Sequence, residues 1–248
     1  MYANVPTILI YHDRRSKTHR GSLPEKLRQD LGSKPVNIIE AGIDGFRNAL
    51  ITRKPKVVIL PEIHGERSFY SRHISKETQQ LLYNFVQNGG LLKTICASVF
   101  EIGGRKVYHP PKGVTKIRDA AHVFGFEPEL KMFGPLPGKW NPQNDTRIPI
   151  LVKTNGGLQR DHVWYGNGPC ILPFGQKSLP SNLEPLAYSE DTEGQPIVAG
   201  ALHIGKGQTL MSGPLSHYSD NLLWRIFLSR IEKQLFETAK PPVLQPTS

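Results

Sequence analysis

Over the first hundred residues, short apolar runs alternate with segments of helical periodicity. Thr7-Ile8-Leu9-Ile10-Tyr11 has the length of a strand and polar neighbours on both sides. Ser22 and Glu25 form a capping box with Pro24 in the first turn, which predicts a helix through Leu31 that stops at Gly32. Residues 36–40 predict a second strand, and residues 41–53 a helix with Ile43, Phe46, Ala49 and Leu50 on one face, its start weakened by Gly42 and Gly45. Val57-Val58-Ile59-Leu60 is an uninterrupted apolar run, the pattern of a central parallel strand covered on both faces. A loop over residues 61–73 leads to Ser75, which caps a helix carrying Leu81, Leu82, Phe85 and Val86 at helical spacing until Asn88-Gly89-Gly90 stops it. Residues 91–95 make a fourth strand that ends at Cys96. Four strands separated by three helices predict an α/β fold: a doubly wound, mostly parallel sheet with helices on both faces. Ligands of such sheets bind beyond the carboxyl ends of the strands, so the loops after Tyr11 and Leu60 and the turn at Cys96 share one edge.

The second half changes texture. Residues 103–189 are rich in proline and glycine and lack long helical periodicity, which predicts β-hairpin elaborations. Residues 148–153 and 158–165 flank Thr154-Asn155-Gly156-Gly157, a turn whose Asn-Gly pair accepts positive φ. Residues 197–204 and 208–211 flank Gly205-Lys206-Gly207 as a second hairpin. Leu222, Leu223, Ile226, Phe227, Ile231 and Leu235 line one side of a final helix. We expect one elaborated domain over residues 1–239 and a proline-rich, disordered tail over 240–248.

Composition narrows the class. With 38% apolar residues in 248, the chain can build a sizeable core. No apolar stretch approaches the ~18 residues of a membrane helix, and the amino terminus carries no leader pattern, so a soluble, cytoplasmic protein is expected. Two cysteines, Cys96 and Cys170, do not make a disulfide framework; Cys170 reads as a small core residue. The formal charge of +10 attracts anions without naming one. Its densest cluster, residues 12–20 with Arg14 and Arg15, is either a solvated loop or an anion-binding loop. Charge alone would also serve nucleic acid, but no recognised module is present and aromatics do not interleave with the basic run.

The candidate chemistry centres on Cys96. A thiol at a sharp turn between strand and helix is lifted above the sheet edge and placed beside the positive end of the next helix, which favours the thiolate. Together with Phe85-Val86-Gln87-Asn88-Gly89-Gly90, the stretch Thr94-Ile95-Cys96-Ala97 resembles an elbow of the form "fv..GG..lGiCAG". Phe133-Gly134-Pro135-Leu136-Pro137-Gly138 resembles a mid-domain Gly/Pro segment, residues 163–168 a "yYNGG" turn, and residues 198–213 a closing hairpin "vv...vGkGkavLsG". In that order these segments resemble the class I glutamine amidotransferase-like superfamily, and within it the amino-terminal domain family of biotin-protein ligases and its free-standing relatives.

The resemblance implies a flavodoxin-like fold with Cys96 as nucleophile on a carbonyl or amide, a downstream histidine as base, an acid orienting it, and backbone amides as oxyanion donors. Where the family carries a "gvHpEf" segment, this chain has Ser212-Gly213-Pro214-Leu215-Ser216-His217-Tyr218. Leu215 therefore stands at the histidine position and His217 at the acid position. A two-residue shift would still offer His217 as the base; otherwise it caps the final helix. The family's Pro-Gly-Gly turn after the third strand is replaced by Pro61-Glu62-Ile63-His64-Gly65. His64 and Glu62 are an alternative base and orienting pair or else surface residues, and Gly65 and Ala97 are the candidate oxyanion amides. Arg14, Arg15, Tyr70, Asn167 and Gly168 are the candidate substrate-binding residues. His64, His73 and Glu66 match no metal-site spacing, so neither a metal nor a cofactor is expected. Two functions follow: a thiol-dependent hydrolase or amidotransferase-like enzyme acting on a small or peptide-like, anionic substrate, or a catalytically degenerate scaffold used for ligand binding or regulation.

Overall fold

The computed structural model describes residues 5–12, 22–63, 69–108, 116–118, 124, 126–136, 139, 146–173 and 178–237. The elements run β1 (Thr7–Tyr11), α1 (Leu23–Leu31), β2 (Asn37–Ala41), α2 (Ile43–Thr52), β3 (Val57–Leu60), α3 (Phe69–His73), α4 (Lys76–Gln87) and β4 (Leu91–Ile95). A 3₁₀ turn over Cys96–Glu101 follows, then β5 (Gly103–Tyr108), β6 (Lys116–Arg118), β7 (Glu127–Gly134), β8 (Thr146–Thr154), β9 (Gly157–Tyr165), β10 (Cys170–Pro173), β11 (Leu183–Ser189), β12 (Ile197–Ile204) and β13 (Gly207–Ser212). A second 3₁₀ turn, Ser216–Tyr218, leads into α5 (Leu222–Phe236).

All these strands belong to one 13-stranded sheet, whose main path is β2-β1-β3-β4-β13-β12-β10-β7-β5-β6, with β11, β8 and β9 branching from β12. The strands from β2 to β13 are parallel to one another. Elsewhere hairpins dominate, and among the described residues only 5 of the 12 strand pairings are parallel. The sheet is therefore mixed rather than mostly parallel. The physical reason lies in the connections: tight turns at 155–156 and 205–206 can join only antiparallel neighbours, whereas a parallel pair needs a crossover of a dozen or more residues.

Alternation along the central strands builds two cores. Ile8, Ile10, Val57, Ile59, Leu91 and Ile95 face α1 and α5, while Leu9, Tyr11, Val58, Leu60 and Leu92 face α2, α3 and α4. Helices thus cover both faces, as the periodicity predicts. Local signals act as expected at two helix starts. The Ser22 hydroxyl accepts the Glu25 N–H at 3.2 Å and that of Ser75 the Thr78 N–H at 3.3 Å, each such cap contributing about 1 kcal/mol. Two details differ. The segment predicted to be helical from 41 gives its first residue to β2, and in the β8–β9 hairpin it is Gly157 that takes positive φ, at 105°. The expected tail over 240–248 lies outside the described residues.

Candidate functional site

Two groups of candidate residues meet the carboxyl edge of the parallel strands. The first is the elbow. Cys96 adopts a φ of 52°, a left-handed conformation that few residues other than glycine take without cost. Ser98 holds the bend: its hydroxyl accepts the Ile95 N–H at 2.7 Å and donates to the Leu60 carbonyl at 2.7 Å, tying the end of β4 to the end of β3. Cys96 and Ala97 open a six-residue 3₁₀ turn, not the α-helix the elbow pattern predicts, so the aligned dipole that would favour a thiolate is short.

Above the thiol sits the connection from β9 to β10. The Cys96 Sγ donates to the Gly166 carbonyl at 3.3 Å, and the residue is 6% exposed. The buried Tyr165 hydroxyl pins this connection, accepting the Leu136 N–H at 2.6 Å and donating to the Gly168 carbonyl. Burial raises the Tyr165 pKa well above its ordinary value, so it remains a donor. Asn167 takes a φ of 63°. Gly168 packs so closely that a Cβ there would lie 2.0 Å from the Gly213 carbonyl oxygen and 3.1 Å from the Cys96 Cα. The candidate substrate-binding residue Gly168 therefore seals the elbow against the end of β13. Cys170 donates to the Phe133 carbonyl at 3.2 Å, and burial pushes its thiol up to about 12, the behaviour of a core residue.

The second group surrounds His217. Leu215 pairs with β9 through its N–H on the Trp164 carbonyl at 2.7 Å. Asn221, not His217, caps α5: its Oδ1 accepts the Trp224 N–H at 2.8 Å while its Nδ2 donates to the Ser216 carbonyl at 2.7 Å. Held between these anchors, the Ser216–Tyr218 turn delivers an almost fully buried imidazole. His217 Nε2 lies 3.9 Å from Glu62 Oε1, which also accepts the Tyr218 hydroxyl at 2.6 Å. Neither ring nitrogen of His217 makes a hydrogen bond, so the ring is not bonded to the Cys96 thiol. Burial first, then the positive fields of Lys93 and Lys26, lowers the His217 pKa to about 3, and the ring is neutral at physiological pH.

Glu62 is positioned by the loop after β3. Tyr70 turns inward and donates to the Pro61 carbonyl at 2.6 Å, its ring standing edge-on to Tyr11, so this candidate substrate contact braces the loop. Lys93 interrupts the apolar run of β4 and is not among the candidate residues that the motifs suggest. It is fully buried, with Nζ 3.6 Å from the centre of the Phe227 ring. Such a contact supplies only about 0.5–2 kcal/mol to a charged amine, less than an ammonium loses on leaving water. Burial therefore holds the Lys93 pKa well below its ordinary range. His217 and Glu62 open into a cleft bounded by Ile10, Tyr11 and His12 at the end of β1, Ser22, Leu23 and Pro24 at the start of α1, and Pro61 after β3. At its mouth His12 Nδ1 lies 3.2 Å from Glu40 Oε2.

The structure thus brings Glu62 and His217 together and places Cys96 under a different roof. His64, Gly65, Arg14 and Arg15 lie outside the described residues. Among the described residues, no group of three or more metal-ligating side chains converges. No helix there is long and apolar enough to cross a membrane.

No family model and no curated protein matches the sequence. Solved structures do match. A ThuA-like protein from Bacteroides uniformis superposes with a TM-score of 0.53 at 10% identity, over 95% of this chain and 94% of that one. The β-galactosidase of Bacillus circulans sp. alkalophilus gives 0.52 at 14% identity over 93% of this chain, and the β-galactosidase Gan42B gives 0.51 at 14% over 93%. This chain spans less than a third of either β-galactosidase, 31% and 30%. These likenesses establish a shared α/β fold. The fold occurs both as a whole chain and as one part of a larger one.

Proposed function

We propose that this chain is an amidotransferase-like domain that binds a small ligand in the cleft over β1 and β3, with its elbow cysteine serving the fold. The observation that carries this reading is that no hydrogen bond joins thiol and imidazole. The Cys96 thiol donates to the Gly166 carbonyl, while the buried His217 lies beside Glu62 and makes no hydrogen bond. A nucleophilic thiol needs a base within hydrogen-bond reach, and that base works best when its pKa lies near the operating pH. An imidazole lowered to about 3 is a weak acceptor for a thiol proton. We assign the domain to the reducing cytoplasm, where its two free cysteines, Cys96 and Cys170, stay thiols.

One observation favours the enzymatic reading: a strained φ at Cys96 is the kind of backbone outlier that marks working nucleophiles. Under that reading Cys96 attacks an anionic substrate selected by Arg14 and Arg15. Alkylation by iodoacetamide at pH 6.5 decides between the two. The ligand-binding reading expects Cys96 to react more slowly than free cysteine, at a rate that His217→Gln leaves unchanged. A rate above free cysteine that falls about tenfold or more in His217→Gln would establish the thiol enzyme instead.

A further inference from the structure

The hairpin β8–β9 ends the branch that leaves β12 through β11, and its two faces differ. Ile148, Ile150, Val152, Val163 and Tyr165 turn inward to the core shared with α5. Alternation sends their neighbours to the opposite face, where the register sets a cation against an apolar residue. Arg147 stands opposite Trp164, Arg160 opposite Leu151 and Lys153 opposite Leu158. In the pair between the first two, His162 faces Pro149. Arg147, Lys153, Arg160 and His162 are exposed, and Leu158, 55% exposed, is the most exposed large apolar residue among those described. Two half-buried rings complete the face: Trp164, with Arg147 Cζ 6.0 Å from its centre, and Tyr188 of β11, which pairs with Leu151. Nearby acids leave most of this charge uncancelled. Glu190 Oε2 lies 2.7 Å from Arg160 Nε, but Arg147 and Lys153 make no ion pair among the described residues. Asp161 belongs to the inward row, and its Oδ2 accepts the Leu222 N–H at 2.6 Å.

We propose that the outer face of β8, β9 and β11 binds single-stranded nucleic acid, with Arg147, Lys153 and Arg160 on phosphates and Trp164 and Tyr188 under bases. Residues on one face of a strand recur every two positions, about 6.8 Å, so cation and apolar surface alternate along the hairpin. A single strand presents the matching alternation of phosphate and unstacked base, and base–aromatic stacking tolerates any sequence. A duplex keeps its base faces stacked, and an acidic peptide offers carboxylates without planar rings. The basic run at 12–20 has the charge and lacks the rings. Here the fold supplies the interleaving, by pairing Arg147 and Lys153 of one strand with Trp164 and Leu158 of the next. The inference goes beyond the ligand-binding reading and uses none of the residues that line the cleft.

The test is fluorescence anisotropy of a fluorescein-labelled oligothymidylate, of about 15 nucleotides, titrated with the full chain at low salt. Saturable binding is expected, with log K falling against log salt at a slope of about −2, roughly 0.7 for each of three phosphates. Arg147→Gln and Lys153→Gln should each weaken binding about threefold and reduce the slope by about 0.7. Trp164→Leu should weaken it about fivefold or more and leave the slope unchanged. Should Trp164→Leu fail to fold, the two variants at exposed positions decide on folded protein. No saturable binding, or equally tight binding of duplex DNA, overturns the proposal. Competition by poly-L-glutamate as effective as that by unlabelled oligothymidylate overturns it too, because an acidic protein would then serve as well. A loss in Arg14→Gln/Arg15→Gln that exceeds the losses in Arg147→Gln and Lys153→Gln moves the contact to the basic run and overturns the sheet face.

Discussion

The elbow at Cys96 and the cleft at His217 occupy the same edge of the sheet, on neighbouring strands, and are opposite in construction. The elbow is roofed by backbone: the Gly166 carbonyl accepts the thiol hydrogen bond, and Gly168 and Gly213 close over the turn without side chains. The cleft is walled by side chains, among them His217, whose buried ring nitrogens make no hydrogen bond. What differs is not the address in the fold but what packs above it. A strand end offers a position for chemistry, and the covering segment decides whether that position is used or sealed.

The strongest way to break this comparison is to pry the roof from the elbow. Gly168→Ala would place a methyl 2.0 Å from the Gly213 carbonyl oxygen, a backbone atom that cannot rotate away. We expect a loss of more than about 3 kcal/mol, at the upper end of overpacking costs, read as a fall in the urea midpoint. A loss under about 1 kcal/mol would mean that the roof is loose and the elbow open.

The cleft should announce itself through pH. His217 titrates near 6.5 when unfolded and near 3 when folded, so between those values the unfolded chain binds the extra proton. Its contribution is complete above pH 6.5 and is lost as pH falls toward 3, with a slope approaching roughly 1.4 kcal/mol per pH unit. Lys93, lowered by burial, has the same sign over a higher window: stability rises with pH from its folded pKa up to 10.5. Chemical denaturation at pH 7 and pH 4.5 should show the loss, and His217→Gln should flatten it. Lys93→Met should instead raise stability at pH 7, because it replaces an amine that must shed its proton to stay buried. An unchanged slope in His217→Gln would place the acid sensitivity elsewhere.

How much of this could be read from the chain depends on the range of the interaction. Strand runs, the caps at Ser22 and Ser75, and the amphipathic faces of α2, α4 and α5 are local, and the residues announce them. The mixed character of the sheet is not local, because it depends on which strands β12 finds on its two sides. The motif at 94–97 identified an elbow but could not disclose its roof, since Gly166 and Gly168 lie some seventy residues away in sequence and act through backbone. Glu62 and His217 were both candidates, but their pairing with each other was invisible, being set by the Asn221 cap and by Tyr70 bracing the loop. Lys93 did leave a signal. A lysine inside Leu91-Leu92-Lys93-Thr94-Ile95, at a position facing the core, marks a buried charge worth tracing.

The smallest expected effect is the most discriminating. Cys96→Ala removes one thiol hydrogen bond of 3.3 Å and a single sulfur atom, and it leaves the left-handed backbone held by Ser98. The loss should be about 1 kcal/mol, because the weak S–H donor is exchanged for a small void under a rigid roof. If the elbow only closes the fold, the His217 side-chain NMR signals of this variant should match those of the parent. If the thiol takes part in the site, the small stability change would be accompanied by a large shift of the His217 ring signals. The cleft's independence from Cys96 would then fail, and the elbow would have to be counted as part of the machinery it now only adjoins.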